Sequence, residues 1–288
     1  MEDIPYLDVI VFQRQGHPFV LEIINYANSL GKTTVFELDD DLWSISPTNP
    51  GYKFWQEPGR KQGIEECMRA CKVVTTTTPW MADLLSRYNK DVKILPNMLP
   101  GVLWRVKKPK CKDGKLIIGW SGSKHHWDDL ALLSGTIQQL LDEYENIEFH
   151  LAGPEVIPLE PHKRAFAIPA VQIQDYARLV KTFDIGLAPI TDTRFNKCKS
   201  DLKFIEYGMV GLAVVASKVE PYIHSIKHGE NGVLVQNTKD WLKWLRRIIE
   251  DKELRDQLGK NAKEYAKTRT IEKNIWMWED AYGIGESS

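Results

Sequence analysis

Two apolar runs near the middle of the chain enclose a polar segment whose residue types could bind phosphate and sugar hydroxyls. The runs are Ile185–Ala188 and Ala213–Ala216, and both are typical of buried parallel strands. Between them we predict a helix that begins at Lys199 and Ser200, with Ser200 as its N-cap, and that ends before Gly211. The start of such a helix is expected at the carboxyl edge of the strands, where α/β proteins bind their ligands.

The polar face of this predicted helix carries the groups that could do chemistry. Lys199, Lys203 and Glu206 fall on one side of it, while apolar residues fall on the other. Backbone amides, the helix dipole and two lysines favour a phosphate, and a nearby carboxylate can hold sugar hydroxyls. The segment is therefore expected to bind a nucleotide sugar, with Ser200 among the residues that contact it.

A second candidate phosphate site follows the apolar pair Ile117 and Ile118. Small residues there let backbone amides approach phosphate oxygens, and a lysine adds positive charge. These residues are Gly119, Ser121, Gly122, Ser123 and Lys124. Their spacing lacks the G-x-G-x-x-G of dinucleotide sites, the G-x-x-x-x-G-K of Walker loops and the G-x-S-x-G of nucleophile elbows. A diphosphate-binding loop fits best, with an ordinary strand-to-helix turn as the alternative, and Gly153 ends the next strand at the same expected edge.

Strand and helix patterns alternate along the chain, which favours an α/β fold with parallel sheets flanked by helices. The strand-like runs are Val9–Phe12, Thr33–Glu37, Val73–Thr76, Val92–Leu95, Lys115–Ile118, Ile147–Leu151, Ile185–Ala188, Ala213–Ala216 and Gly232–Val235. Helical patterns cover Phe19–Leu30, Gly59–Cys71, Thr78–Tyr88, Asp128–Tyr144, Gln174–Phe183, Ser200–Val210, Pro221–His228 and much of 238–282. Residues 96–113, rich in proline and lysine, lack periodicity and form the predicted linker. We therefore predict a short first lobe at 1–106, a second lobe at 107–270, and a last helix at 271–288 that packs back on the first lobe.

Composition excludes several classes of function. The net charge of -1 gives no reason to expect bulk binding of nucleic acid. No apolar run approaches the roughly 18–20 residues needed to cross a bilayer, and the first residues lack the basic and apolar segments of a secretory signal. Four cysteines without a second metal-ligand pair are expected to be reduced and structural. We expect a cytoplasmic protein, either free or peripheral at the membrane.

The motifs of residues 184–217 resemble the donor-binding half of GT-B glycosyltransferases. They are D-I-G-L-A-P, then K-S-x-x-K-x-x-E-Y-x-x-x-G, then A-V-V-A-S. They are most similar to the large retaining group known as family 4. The resemblance is specific over most of the second lobe, whereas in the first it depends on element order and on the segment E-L-D-D-D. It implies two Rossmann-like lobes with the reaction in the cleft between them.

The resemblance also implies roles for individual residues. Glu206 matches the glutamate that grips the ribose, and Lys124, Lys199 and Lys203 are placed to neutralise the departing diphosphate. Many members carry a further glutamate where this chain has Cys198. The donor is expected to be linked to UDP rather than GDP, with no further cofactor and no required metal. The acceptor is expected to be a lipid-linked or polymeric glycan.

An acidic segment in the first lobe is the candidate for the acceptor side. Asp39, Asp40 and Asp41 follow a predicted strand, and Arg14 and His17 follow the strand before it. A D-x-D pattern holds a divalent cation in GT-A glycosyltransferases, but the GT-B-like pattern here favours acceptor hydroxyls or removal of a proton. A solvated acidic turn is the alternative. With Lys124 and Lys199, Asp40 completes the predicted catalytic set.

The leading hypothesis is a glycosyltransferase that moves a sugar from a nucleotide-diphosphate sugar to an acceptor hydroxyl with retention. Two alternatives stay open. One is a sugar-nucleotide epimerase built on the same two lobes. The other is a nucleotide-sugar-binding module without catalysis, or one dependent on a partner, which the short first lobe and Cys198 favour.

Overall fold

The computed structural model describes residues 1–107, 114–123, 126–154 and 158–284. The chain divides into two compact units. The first unit comprises Met1–Asn97, Thr193–Ser200 and Asn274–Ser288, and the second comprises Met98–Asp192 and Asp201–Lys273. The predicted lobes follow the linear order of the chain and do not include the return of 193–200 to the first unit.

Ten strands and fourteen α-helices are found in the described residues. The strands are β1 Val9–Gln13, β2 Thr33–Glu37, β3 Val73–Thr76, β4 Val92–Ile94, β5 Leu116–Ser121, β6 Ile147–Gly153, β7 Ala165–Pro169, β8 Ile185–Ala188, β9 Ala213–Ser217 and β10 Val233–Val235. The helices are α1 Pro18–Ser29, α2 Tyr52–Gln56, α3 Arg60–Ala70, α4 Pro79–Leu85, α5 Trp127–Ala131, α6 Ser134–Glu143, α7 Ile173–Val180, α8 Arg194–Lys197, α9 Leu202–Met209, α10 Glu220–Ile223, α11 Thr238–Glu250, α12 Lys252–Ala266, α13 Ile271–Asn274 and α14 Trp276–Tyr282. None of those helices is long and apolar enough to pass through a bilayer.

The first unit is built on a four-stranded parallel sheet in the order β1-β2-β3-β4. All four strands were predicted, and the structure confirms them. The predicted start of the third helix is also confirmed, since the Thr78 hydroxyl accepts a hydrogen bond from the Met81 amide at 3.2 Å and proline follows at the first helical position. The helix α14 belongs to this unit and lies against β3.

The second unit is built on a six-stranded parallel sheet in the order β10-β9-β8-β5-β6-β7. The chain runs from β5 outward to β7 and then returns to place β8 on the other side of β5. The connections from β5 and β8 therefore diverge, and a crevice at the carboxyl ends of such strands is where ligands bind in open α/β sheets. The two-sheet α/β fold predicted from the sequence is confirmed.

Apolar cores cover both faces of this second sheet. One core includes Ile137 and Leu140 of α6 and Leu245 of α11, and the other includes Phe204 of α9 and Val180 of α7. Strand β7 was not predicted. Its residues Ala165–Pro169 are all apolar, but alanine and proline are weak strand formers, and the strand is largely exposed at the sheet edge.

Three helix predictions in this unit are corrected. The helix predicted over 128–144 is interrupted and forms α5 and α6, and the one predicted over 221–228 is only the short α10. The helix α9 begins at Leu202 rather than at Lys199 and Ser200. Ser200 is not its N-cap. The Ser200 hydroxyl instead accepts a hydrogen bond from the side-chain amide of Asn97 at 2.6 Å, and both residues belong to the first unit.

Asp201 is the residue that precedes α9, and a buried ion pair holds it. Its two carboxylate oxygens accept hydrogen bonds from the Arg269 guanidinium at 2.9 and 3.1 Å, and the Ser225 hydroxyl donates to the same carboxylate. Asp201 is 5% exposed. Its backbone carbonyl accepts the first hydrogen bonds of α9, from Phe204 and Ile205. The pair thus fixes the start of the helix.

Replacing Arg269 with methionine is expected to destabilise the protein by about 3–5 kcal/mol, because it leaves the Asp201 carboxylate buried without its cation. The measurement is the free energy of unfolding in guanidinium chloride. The matched control is Arg178→Met, which removes an exposed ion pair to Asp175 in the same unit and should change the free energy by less than about 1 kcal/mol. Equal losses in the two variants would contradict the structural role of the buried pair.

Candidate functional site

A cavity of about 700 Å³ opens in the second unit where β5 and β6 end. Its wall combines the loop after β5, the end of β6 and one face of α7. Its lining includes Ser121, Gly122, Ser123, Gly153, Val171 and Tyr176. Four of the residues predicted to bind the donor therefore lie together on one wall.

The two loops at the mouth of this cavity touch through their backbones. The Gly122 amide donates a hydrogen bond to the Ala152 carbonyl at 3.0 Å. Gly153 has φ +111°, and a Cβ there would lie 1.9 Å from the carbonyl oxygen of Gly122. Only glycine meets both requirements. The two loops therefore pack backbone against backbone at the cavity wall.

Gly119 is not part of this wall. It lies inside β5, and a Cβ there would lie 2.1 Å from the ring of Phe183. Its glycine is explained by close packing under the sheet, so the structure favours a structural role over the predicted contact with the donor.

Four side-chain groups form a connected hydrogen-bond network beside the cavity. The Tyr176 hydroxyl donates to the Glu206 carboxylate at 2.9 Å and lies 2.9 Å from the Ser121 hydroxyl. The Tyr207 hydroxyl lies 3.3 Å from the Ser121 hydroxyl and accepts from the Ser121 amide at 2.9 Å. Ser121 and Tyr207 are fully buried, whereas Tyr176 and Glu206 are partly exposed. The network joins the end of β5 to the polar face of α9.

Lys203 lies on the same part of α9. Its ammonium group donates to the Ser121 carbonyl oxygen and lies 4.7 Å from the centre of the Trp120 ring. Burial raises the pKa of Glu206, while the positive charge of Lys203 and the Tyr176 hydrogen bond oppose that rise. A carboxylate and an ammonium group thus flank the end of β5.

Three other residues predicted to bind the donor, Lys124, Lys199 and Ser200, are not part of the site described above. Lys124, and with it His125, lies outside the described residues. Lys199 and Ser200 belong to the first unit. The predicted set is therefore divided: the β5 loop, Gly153, Lys203 and Glu206 occur in the second unit.

The first unit holds a cluster of ion pairs at the ends of β1 and β2. The Arg14 guanidinium pairs with Asp39 and, at 2.9 Å, with Asp40. The Lys199 ammonium lies 3.3 Å from the Asp40 carboxylate. Arg14 has φ +52°, an uncommon conformation for a residue with a side chain, and its ion pairs offset that cost. Two residues predicted to be catalytic, Asp40 and Lys199, are thus in contact.

Asp41 differs from its two neighbours. It is fully buried and accepts hydrogen bonds from the Trp43 amide, the Ser44 hydroxyl and the Arg194 guanidinium at 3.0, 2.6 and 2.9 Å. Cys198 is buried in the apolar core of the first unit, and burial raises the pKa of its thiol to about 12. Both residues therefore stabilise the return of 193–200 to the first unit, and Asp41 is a poor candidate for contact with an acceptor.

A second cavity, of about 680 Å³, lies in the first unit beside α1 and α3. Its wall contains aromatic and polar side chains, among them Arg14, His17, Trp55, Arg60, Gln62 and Glu66. The His17 ring accepts from the Phe19 amide at 3.2 Å and so caps α1. Arg14 contributes both to this cavity and to the carboxylate cluster. The two residues predicted for the acceptor side from the first loop therefore share one wall.

Three residues of these sites were not predicted from the sequence: Tyr176, Tyr207 and Trp55. Tyr207 stands in the E-Y motif without a predicted role, and Tyr176 lies in a predicted helix to which no site residue was assigned. Trp55 lies on α2, a helix of five residues with no clear periodicity. For Tyr176, the signal available in the sequence is a tyrosine on the polar edge of an amphipathic helix. Its neighbour Glu206 is brought to it only by the fold.

Comparison with known families and structures agrees with this architecture. The family model described as Glycosyl transferases group 1 matches residues 202–265, from α9 to α12. No curated protein matches the chain. The match covers the helix that carries Lys203 and Glu206.

Solved structures resemble the whole chain despite low sequence identity. Sucrose-phosphate synthase from Thermosynechococcus elongatus aligns over 96% of this chain and 73% of its own, with 14% identity and a TM-score of 0.70. HepE from Anabaena, in complex with UDP and glucose, aligns over 97% and 78%, with 15% identity and a TM-score of 0.71. A glycosyltransferase from Rickettsia africae aligns over 97% and 98%, with 11% identity and a TM-score of 0.61. The GT-B resemblance inferred from the motifs is confirmed, whereas the narrower likeness to family 4 stays a prediction: the chain has the fold of GT-B glycosyltransferases, and residues 202–265 of its second unit match the group 1 glycosyltransferase model.

Proposed function

We propose that the protein is a glycosyltransferase that transfers a sugar from a UDP-linked donor to an acceptor hydroxyl. The observation that carries the proposal is the cavity of the second unit, where a backbone-lined loop lies beside the Glu206 network. The group 1 family segment begins at the helix that supplies Glu206. UDP is favoured over other nucleotides because HepE, a protein of the same fold, was solved with UDP and glucose.

Each part of the donor has a proposed partner in the second unit. The diphosphate would lie against the loop Ser121–Ser123 and Gly153, whose small residues let it approach the cavity wall closely. Glu206 would accept hydrogen bonds from the ribose hydroxyls, and the apolar wall at Val171 and Leu179 suits the base. Lys124 and Lys203 are proposed to neutralise the diphosphate.

The acceptor is proposed to bind to the first unit. Trp55 can pack against the apolar face of a sugar ring, and the neighbouring amide and carboxylate groups of Gln62 and Glu66 can bind its hydroxyls. Asp40, which is 24% exposed, remains accessible while Arg14 and Lys199 hold its orientation. A glycan acceptor, lipid-linked or polymeric, fits such a wall.

The proposed reaction breaks the bond between the anomeric carbon and the phosphate oxygen, and the electron pair leaves with the diphosphate. The acceptor oxygen forms the new bond to that carbon, and its proton passes to a base, for which Asp40 is the candidate. Preorganised cations lower the barrier because the diphosphate gains charge as the bond breaks. Retention of configuration and independence from metal follow from the family resemblance alone and stay predictions.

Replacing Glu206 with glutamine is expected to weaken UDP binding by about tenfold or more, because hydrogen bonds to a charged group contribute about 1.5–3 kcal/mol. Burial raises the pKa of Glu206. Wild-type affinity should therefore fall as the pH decreases through that raised pKa, and the variant should lose this dependence. Calorimetric titration with UDP across pH measures both effects.

The control, Glu264→Gln, alters an exposed glutamate of the same unit and should bind like the wild type. Unchanged affinity in Glu206→Gln would remove the donor assignment.

Replacing Asp40 with asparagine is expected to slow transfer by about a hundredfold or more while UDP affinity stays the same, as for loss of a catalytic base. The measurement is UDP release from UDP-glucose with a panel of oligosaccharide acceptors. The control is Asp91→Asn, which removes an exposed ion pair to Lys93 in the same unit. Full activity in the Asp40 variant would exclude it as the base.

The same assay separates the alternatives. Conversion of UDP-glucose to an epimer without any acceptor would favour an epimerase. Binding of UDP without turnover on the whole panel would favour a module without catalysis.

A further inference from the structure

We propose that Tyr176 is a positioning residue that sets the orientation of the Glu206 carboxylate and so gives the site its selectivity for ribose. The inference rests on the proposed function, because it concerns the same nucleotide cavity. It goes further in assigning ribose recognition to a pair of residues rather than to the glutamate alone.

The number of hydroxyl hydrogens in the network fixes its direction. An ionised carboxylate only accepts, so the single hydroxyl hydrogen of Tyr176 goes to Glu206. At the contact between Tyr176 and Ser121, the Ser121 hydroxyl must therefore donate. The hydrogen of Ser121 is then used, so the Tyr207 hydroxyl donates to the Ser121 oxygen. The Tyr207 oxygen in turn accepts from the Ser121 amide. Each donor in this chain of hydrogen bonds is used once, and the chain of bonds ends on the Glu206 carboxylate.

The elements that supply these groups make the arrangement rigid. The Ser121 amide belongs to the end of β5, and Tyr207 is fully buried with its ring against Gly186 of β8, where a Cβ would lie 2.5 Å from the ring. Tyr176 has two rotatable side-chain bonds, and its ring meets Trp104 edge to face, with centroids 5.8 Å apart. The hydroxyl that reaches Glu206 is therefore held from both sides.

The position of Tyr176 relative to the cavity gives it the proposed role. Tyr176 lines the cavity, whereas Glu206 is half-buried next to it and is joined to the wall through the Tyr176 hydroxyl. One carboxylate oxygen is bound by Tyr176, which restricts how the carboxylate can face the ribose. A glutamate without this bond would adopt several rotamers and would lose entropy on binding.

A purely structural role for Tyr176 makes a different prediction. If its ring only filled space, removal of the hydroxyl would leave the ring in place, and binding would be unaffected or weakened equally for all nucleotides. If the hydroxyl orients Glu206, the loss falls on ligands that carry ribose hydroxyls. The ratio of two affinities therefore separates the two roles.

The experiment compares the affinities of UDP and 2′,3′-dideoxyuridine diphosphate for the wild type, Tyr176→Phe and Tyr144→Phe by calorimetry. Tyr144 is the matched control, because its hydroxyl also donates to a glutamate, Glu250, at an exposed site of the same unit. We expect the wild type and Tyr144→Phe to prefer UDP by about tenfold or more, the effect of charge-assisted hydrogen bonds to the diol. In Tyr176→Phe the preference should fall several-fold, with the dideoxy ligand bound as well as by the wild type.

A second variant tests the network itself. Ser121→Ala removes the hydroxyl between the two tyrosines. Its loss of UDP affinity should not add to that of Tyr176→Phe, because both changes break the same chain of hydrogen bonds. An undiminished UDP preference in Tyr176→Phe, an equal loss for both ligands, or additive losses in the double variant would each overturn the inference while leaving the proposed function in place. A wild type that binds neither ligand would overturn the proposed function and the inference with it.

Discussion

A buried ion pair at the beginning of α9 holds the residues on which the site of the second unit depends. Asp201 occupies the N-cap position, but its side chain makes no capping hydrogen bond to α9 and instead binds Arg269 and Ser225. Lys203, Glu206 and Tyr207 follow within two turns, so a displacement of this start would move all three. Because α9 is only eight residues long, its own propensity could not hold it in place, and tertiary contacts must do so.

Most of the sheet architecture could be predicted because its signal is local. Strands such as β8 and β9 are buried on both faces and therefore appear as largely continuous apolar runs. The missed β7 is also apolar in sequence, but alanine and proline are weak strand formers and its residues are largely exposed at the sheet edge. The start of α9 was misplaced because Ser200 is a good N-cap in isolation, and nothing near it in sequence shows that Asn97 takes its hydroxyl.

The candidate sites show the same division between local and long-range information. The loop after β5 and Gly153 could be predicted, because small residues at strand ends have a local meaning. The contact between Asp40 and Lys199 joins residues far apart in the chain, and no spacing rule encodes it. Tyr176 and Tyr207 converge on Ser121 from two different helices, which only the folded sheet brings together.

The return of residues 193–200 to the first unit also limits how the protein can be divided by recombinant expression. A fragment cut at the boundaries of the second unit, Met98 to Lys273, would still contain this segment. Cys198 and Phe195, which pack in the core of the first unit, would then meet water, and Arg194 would lose the carboxylate of Asp41. To avoid exposing these apolar side chains, such a fragment would need a short polar linker in place of residues 193–200. The gene thus encodes two units that cannot be separated by a single cut.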